Sequence, residues 1–431
     1  MAQTLTAEHR KVLGGSMVGT TIEWFDFFIY AQAAGLIFAA QFFEPLGKDN
    51  PTLGQTISWA SLGISFLFRP LGAVIAGHLG DKMGRKPVLV VTLLGMGTAT
   101  MLIGLLPTYE TIGVLAPVLL IFLRILQGLS AGGEWGGAAM LAVEHAPPGR
   151  RGFFGSFPQI GVPLGMALAT VFMLVLSGLL GKEGFEQWGW RVPFLSSVVL
   201  IFVGFMIRRM VEESPAFKEM QQLKKKETAP LSELFKNHTG TVIKCAGTFI
   251  GNNALGYFVI AYFISYGIKV VGYTRNEAFT VVLLAALAWL IATPLFGALS
   301  DTIGRKRLFL LGYAAMIIFS IPAWMLVDSG NVVLFGIAVA TMGFLEGPTY
   351  APQSALYAEM FPVHVRLSGT SIGYALGAVF GGAFAPMIAS LIYDSTGSSM
   401  GIALYGIGLC AISFLAVSTI PGDIQDRDLS V

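Results

Sequence analysis

The chain has 431 residues, 54% of them hydrophobic and only 12% charged. A soluble protein carries roughly twice that share of charge, so a string of ordinary soluble domains is excluded. The net charge of +2 points to no class of partner, and the information lies in where the charges sit.

A helix needs about 20 apolar residues to cross the bilayer core. Twelve such runs are predicted, near 13–38, 57–77, 88–106, 113–143, 152–177, 193–207, 241–266, 277–299, 308–326, 332–358, 367–392 and 400–420. The expected fold class is an all-α integral membrane protein with twelve transmembrane helices in two six-helix halves. Residues 1–207 form the first bundle, 208–240 a linker, and 241–431 the second bundle. The first run is too long for the core of a signal peptide and begins a regular series, so no cleavable leader is expected. An even number of spans puts both termini on one side. The segments on that side hold nineteen Lys and Arg, against five on the other: Lys48, Lys182, Arg191, Lys269 and Arg275. The positive-inside rule therefore predicts both termini in the cytoplasm.

Polar side chains stand out along the spans in chain order. The first span carries Glu23, Asp26 and Tyr30, and the second carries Arg69. The fourth holds Arg124, Gln127 and Glu134 among the glycines Gly128, Gly132, Gly133, Gly136 and Gly137, which permit close helix contact. The fifth has Gln159, and Arg191 opens the sixth. The linker mixes Glu212, Glu213 and Glu219 with Lys224, Lys225 and Lys226, reads as an interfacial anchor, and is too short for a catalytic domain. Asn252, Asn253 and Tyr257 follow in the seventh span, Glu346 in the tenth and Tyr374 in the eleventh. Cys245 and Cys410 fall inside apolar runs, and the five histidines are scattered without ligand spacing, so neither disulfide nor metal is expected. No nucleophile, metal cluster or phosphate loop suggests an enzyme.

Two loop patterns occur twice. Gly77-His-Leu-Gly-Asp81-Lys-Met-Gly84-Arg85-Lys86 returns as Gly297-Ala-Leu-Ser-Asp301-Thr-Ile-Gly304-Arg305-Lys306, offset by 220 residues. Glu144, Pro147, Arg151 and Ser156 return as Glu359, Pro362, Arg366 and Ser371, offset by 215. Nearly equal offsets argue for duplicated halves. The glycines permit tight turns. Asp81 and Arg85, like Asp301 and Arg305, can pair with each other, or with Glu144 and Arg151, or with Glu359 and Arg366. Such clusters can latch helix ends together in one state and release them in another; the plainer reading is that they set topology and turns.

These residues resemble the major facilitator superfamily. The repeated loop matches its G-x-L-x-D-R-x-G-R-K pattern, with Lys82 and Thr302 in place of the first Arg, and Arg124-Ile-Leu-Gln127-Gly128 matches its fourth-span R-x-x-Q-G. Glu23-Trp-Phe-Asp26-Phe, Phe68-Arg69-Pro70-Leu-Gly72, Gly132-Gly-Glu134-Trp135-Gly-Gly and Trp188-Gly-Trp-Arg191-Val-Pro193-Phe further resemble its metabolite:proton symporter family. That family includes importers of shikimate, 2-oxoglutarate, citrate and proline or betaine. Gly161-Val-Pro163-Leu-Gly165 partly resembles the antiporter motif of drug exporters. The resemblance implies a bacterial-type inner membrane, a small-molecule substrate, a monomer, and no cofactor beyond the proton as coupling ion. Lipid is the only other partner expected, and nucleic acid is not.

Ionisable residues at bilayer depth are costly and usually functional. At 1.5 Å per residue, Asp26, Arg69 and Arg124 each lie about 17–18 Å from a membrane face, in one layer near the midplane. Glu23 is one turn from Asp26, and Glu346 reaches a similar depth. A carboxylate beside an arginine is a proton switch, because protonation of the acid frees the arginine for an anionic substrate. Sugar:proton symporters of the superfamily carry a first-span Asp with this fourth-span Arg. The resemblance therefore favours Asp26 with Arg124, and Glu23 as the second choice for the acid; the alternative is a static buried pair. Arg69 and Arg191 are the candidates for substrate carboxylates, since the guanidinium fork matches them bidentately. Arg191 can equally be an interfacial residue. Tyr30, Gln127, Glu134, Gln159, Asn252, Asn253, Tyr257, Glu346 and Tyr374 are further lining candidates, with helix-to-helix hydrogen bonding as the alternative. The function expected is proton-coupled import of a small organic acid or zwitterion. A proton-coupled exporter and a membrane sensor are the competing readings.

Overall fold

In lipid no water satisfies backbone N–H and C=O groups, so a chain this apolar must be helical wherever it crosses. The computed structural model describes residues 7–44, 51–83, 85–132, 134–210, 230–362 and 365–427, and all regular structure among them is helical. The spans are Leu13–Phe43, Thr52–Ala76, Arg85–Leu105, Leu115–Glu144, Arg151–Gly189, Arg191–Met210, Thr239–Val271, Arg275–Ile303, Arg305–Val327, Val332–Met360, Arg366–Thr396 and Met400–Ser418. Over the described residues ten are long and apolar enough to cross a membrane. Arg85–Leu105 and Arg191–Met210 take the predicted third and sixth places. Helices often outrun the predicted runs: the second extends over Pro51–Met83. Hydropathy marks only the stretch in hydrocarbon, whereas the backbone ladder continues into the polar zone. Of the expected linker, residues 211–229 lie outside the described residues, and Pro230–Asn237 is a short helix.

Local sequence explains several ends. Thr274 accepts a hydrogen bond from Glu277 N while the Glu277 carboxylate accepts from Thr274 N, a reciprocal cap that starts the eighth span. Gly304 joins the eighth and ninth spans at φ 93°, a conformation that penalises any residue with a Cβ. Asn331 caps the tenth span by accepting from Val333 N at 2.9 Å.

The pairing of spans repeats at a step of six. The first packs on the fifth as the seventh does on the eleventh, and the second on the fourth as the eighth does on the tenth. The third packs on the sixth as the ninth does on the twelfth. Between the halves, the fifth meets the eighth and the eleventh meets the second. The internal repeat is thus a structural one. Glycines set the closest approaches: a Cβ on Gly128 or Gly132 would strike the second span's backbone at Ser65 or Arg69. Gly161 and Gly165 press the same way against Thr20, Thr21 and Trp24 of the first span.

Several spans depart from the regular α-ladder, two of them in equivalent positions of the two halves. The tenth divides into Val332–Tyr350 and Gln353–Met360. The first and seventh both carry π-helical segments, Ala34–Phe43 and Phe258–Tyr262. Such departures from the α-ladder recur at functional sites.

Candidate functional site between the two halves

The centre of the interface is built around Arg69, which is 3% exposed. Its guanidinium lies 4.2 Å from the ring centre of Phe27, 4.4 Å from Phe66 and 5.2 Å from Trp24. These rings stabilise a cation without neutralising it. Its Nε and Nη2 are buried with no hydrogen-bond partner. Arg69 lines a cavity of about 10 Å³ with Ala131, Trp135, Gly136, Ser371 and Tyr374. The second half closes the cavity with aromatic rings. Tyr374 stacks on Trp135 at 3.9 Å and on Phe249 at 4.6 Å, and Tyr257 stands edge-on to Phe66 at 5.4 Å. The Tyr257 hydroxyl and the indole N–H of Trp24 are likewise buried without partners, and the buried hydroxyls of Tyr350 and Tyr374 face each other. Buried polar atoms are normally satisfied, so a cluster of unsatisfied donors around a cation marks a place built for a ligand. Trp24 and Tyr350 are not among the lining candidates, and Ser371 was picked out only as part of the repeated loop pattern. Trp24 and Tyr350 adjoin or lie near chosen ones, but a lone aromatic on a span has no sequence signature that separates lining from packing.

Arg124 is held differently. Nε donates to Ser61 O at 3.2 Å, Nη2 to Leu62 O at 3.0 Å and Nη1 to Gln127 Oε1 at 2.6 Å, while Tyr30 lies 3.7 Å beneath it. Tyr30 is itself tied to Ser61 Oγ at 2.7 Å. Each of these guanidinium nitrogens already has a neutral acceptor. Asp26 turns away, toward the third and sixth spans: Ser197 Oγ donates to its Oδ1 at 2.8 Å, and Thr100 stands beside it. The expected direct Asp26–Arg124 pair is therefore not formed. The two groups connect through two intermediates, Thr100 and Gln127, since Gln127 Nε2 donates to Thr100 Oγ1 at 2.7 Å. Depth was shared but azimuth was not, and contact requires both. Glu23, also buried, lies within electrostatic reach of Tyr257, Tyr350 and Tyr374.

The remaining candidates are placed as follows. Arg191 donates to Gly104 O at 2.9 Å and Leu106 O at 2.6 Å, closing the end of the third span, and is not brought to Arg69. Gln159 joins the halves, accepting from Trp135 Nε1 at 2.9 Å and donating to Tyr350 O at 2.9 Å. Asn253 Oδ1 accepts from Gly382 N at 2.8 Å, where the eleventh span is broken between Phe380 and Ala385. Asn252 donates to the buried Glu346 carboxylate. Glu134 is buried at the start of the fourth span's second segment. Asn252, Asn253 and Gln159 thus serve helix contacts, the alternative weighed for such residues.

The latch crosses between the halves rather than staying within each. Asp301 pairs with Arg305 at 2.8 Å, and its two oxygens accept from Gly152 N at 2.8 Å and Phe153 N at 2.9 Å. A carboxylate of the second half thereby caps the fifth span of the first. Glu359 takes Arg305 at 3.3 Å and Arg151 at 3.8 Å, and Glu144 faces Arg366 at 3.8 Å. The side chains of Asp81 and Arg85 lie outside the described residues, Gly77 is described only as helical backbone, and Gly84 lies outside altogether. The opposite face is closed too. Arg275 pairs with Glu186, Lys269 bonds Gln55, and Ser265 Oγ donates to Gly35 O at 3.2 Å. Among the described residues both faces are thus bridged, and the cavity at Arg69 is a water-sized space.

The sequence matches the Major Facilitator Superfamily over residues 17–386 and 272–423. The chain belongs to that superfamily. It is 40% identical over 415 residues, 94% of this chain and 93% of the other, to the inner membrane metabolite transport protein YhjE of Escherichia coli K12. It is 36% identical over 410 residues, 94% of this chain and 92% of the other, to the shikimate transporter of the same strain. A crystal structure of a D-xylose-proton symporter superposes with a TM-score of 0.73 at 18% identity, covering 96% of this chain and 98% of that one, and shows the shared fold. The chain is a multi-pass membrane transporter and not an enzyme.

Proposed function

We propose that this transporter imports a small organic anion together with protons, by alternating access. The observation that carries the reading is Arg69: a buried, unneutralised guanidinium among unsatisfied donors, at the seam between two halves. A carboxylate entering there takes two N–H bonds from the fork and further bonds from Tyr257 and Tyr374. The positive-inside bias places both termini in the cytoplasm, so the Asp301–Arg305–Glu359 latch is the inner gate and Arg275–Glu186 belongs to the outer one. The described site and the bridges across both faces draw on one chain, which supports a monomer as the working unit.

Asp26 is the first proton carrier in this scheme. Its Oδ2 is buried, away from the Ser197 bond, with the Thr100 hydroxyl beside the carboxylate. Protonation there converts an acceptor into a donor beside Thr100, and Gln127 relays the change in hydrogen bonding to Arg124. Each pH unit supplies about 1.4 kcal/mol per proton and each 100 mV about 2.3 kcal/mol per charge. A monoanion carried with one proton draws on the pH term alone.

Proteoliposomes with an acidic exterior, offered shikimate, a dicarboxylate, an aromatic acid and betaine, test the reading. Accumulation of a carboxylate is expected. Uptake driven only by an acidic lumen would overturn it in favour of exchange. The partial antiporter motif lends exchange little weight, because Gly161 and Gly165 have a packing role against the first span.

A further inference from the structure

We propose that Glu346, in the tenth span, is a second proton-carrying carboxyl whose charge state is read by the amide of Asn252 in the seventh. The proposal deepens the proton-coupled reading above and rests on it.

Glu346 is fully buried in the second half. The latch carboxylates have cations: Asp301 has Arg305, Glu359 has Arg305 and Arg151, and Glu144 has Arg366. Glu346 has an amide instead. Asn252 faces it from the seventh span, and Trp289 of the eighth lies on the same side of Gly256; neither titrates. The titratable groups near it are Tyr313 from the ninth span and Cys410 from the twelfth, both neutral as ordinary side chains and both buried. Among the described residues no Lys, Arg or His pairs with it. A carboxylate ion so placed is costly, and the neutral acid is the form that suits this conformation.

Asn252 suits both forms. Its Nδ2 faces three acceptors, Glu346 Oε2, Glu346 O at 3.3 Å and Thr349 Oγ1 at 2.8 Å, with only two hydrogens to give. Turned half a rotation, the amide presents its oxygen, which accepts O–H bonds from a protonated Glu346 and from Thr349. One orientation holds the acid and the other holds the carboxylate. Glu346 Oε1 has no hydrogen-bond partner. The carboxyl also fronts a space of about 10 Å³ shared with Ser320, Met316 and Leu255, room for about one water. A proton leaves Glu346 to water when the seam opens inward, leaving a carboxylate held by Asn252 N–H; water on the outer side returns one.

The location gives the switch leverage. The neighbouring Asn253 holds Gly382 at the break of the eleventh span, and Tyr257 lies one turn further along the same helix at the Arg69 cavity. With Asp26 and Glu346 both loaded, a monoanion moves with two protons, and import becomes sensitive to voltage.

Infrared titration of the full chain in lipid tests this without any transport substrate. The C=O stretch of a protonated carboxylic acid is expected at neutral pH, with one component that disappears reversibly as pH rises and that Glu346→Gln removes. A wild-type spectrum identical to that of Glu346→Gln, or a component unchanged through alkaline pH, overturns the proposal. Should Glu346→Gln not fold, Glu346→Asp must shift the component rather than leave it in place; an unshifted component overturns the proposal equally. Failure of acid-driven uptake with an intact titration would remove the import reading and leave the proton site, and the reverse result would do the opposite.

Discussion

The two halves share their helix pairings and differ in what they bury. The first half encloses two arginines. Arg69 is left open among rings, and Arg124 is bound to main-chain carbonyls and Gln127. Among the described residues the second half brings no cation to Glu346 and answers it with Asn252, while its tyrosines face the Arg69 cavity. Duplication preserved the backbone, because every span needs a partner at the same angle to bury its contacts. It left the side chains at the seam free to diverge, so one half can hold an anion while the other supplies neutral donors. Proton coupling, expected in the first half alone, becomes a property that both halves can contribute.

Arg69→Met is the strongest way to break this contrast. It keeps the volume and apolar packing but removes the cation, and hydrogen bonds to charged groups contribute about 1.5–3 kcal/mol each. Uptake of the carboxylate should fall at least tenfold in apparent affinity, and unchanged uptake would show that the anion is held elsewhere. Next in size is Asp26→Asn, which should abolish acid-driven accumulation while sparing substrate counterflow in proteoliposomes; normal accumulation would remove Asp26 from coupling. Glu359→Gln tests whether the halves are joined by charge. Removing one partner of a buried pair costs about 3–5 kcal/mol, and here it releases Arg305 and Arg151 together. A Ser371→Cys reporter in the central cavity should then react faster with an impermeant thiol reagent from the latch side. An unchanged rate would mean that helix packing alone keeps that gate shut. Tyr257→Phe is the smallest. It deletes one unpartnered hydroxyl, and the loss of a neutral hydrogen bond to substrate, about 0.5–1.5 kcal/mol, should raise the half-saturating concentration a few-fold. No change would assign the tyrosine to packing against Phe66.

Some of the site was legible in the residues. Arg69 and Tyr374 were chosen from the chain and meet at one cavity. Arg305, Asp301, Glu359 and Arg151 were chosen as a latch and do form one, though across the halves. Other expectations failed for a common reason. Asp26 and Arg124 agree in depth along their helices yet face different neighbours, and Arg191, with the same side chain as Arg69, ends as a cap on the third span.

The chain by itself determined the spans, their number and the duplication, because lipid tolerates only long apolar helices and a repeat copies its own spacing. Those are one-dimensional properties. Only the tertiary structure decided which charges touch, which donors stay unsatisfied and that both faces are bridged at once among the described residues. These depend on how each helix is rotated about its axis, and that rotation is set by glycine contacts such as Gly128 on Ser65 and by main-chain acceptors supplied from other spans.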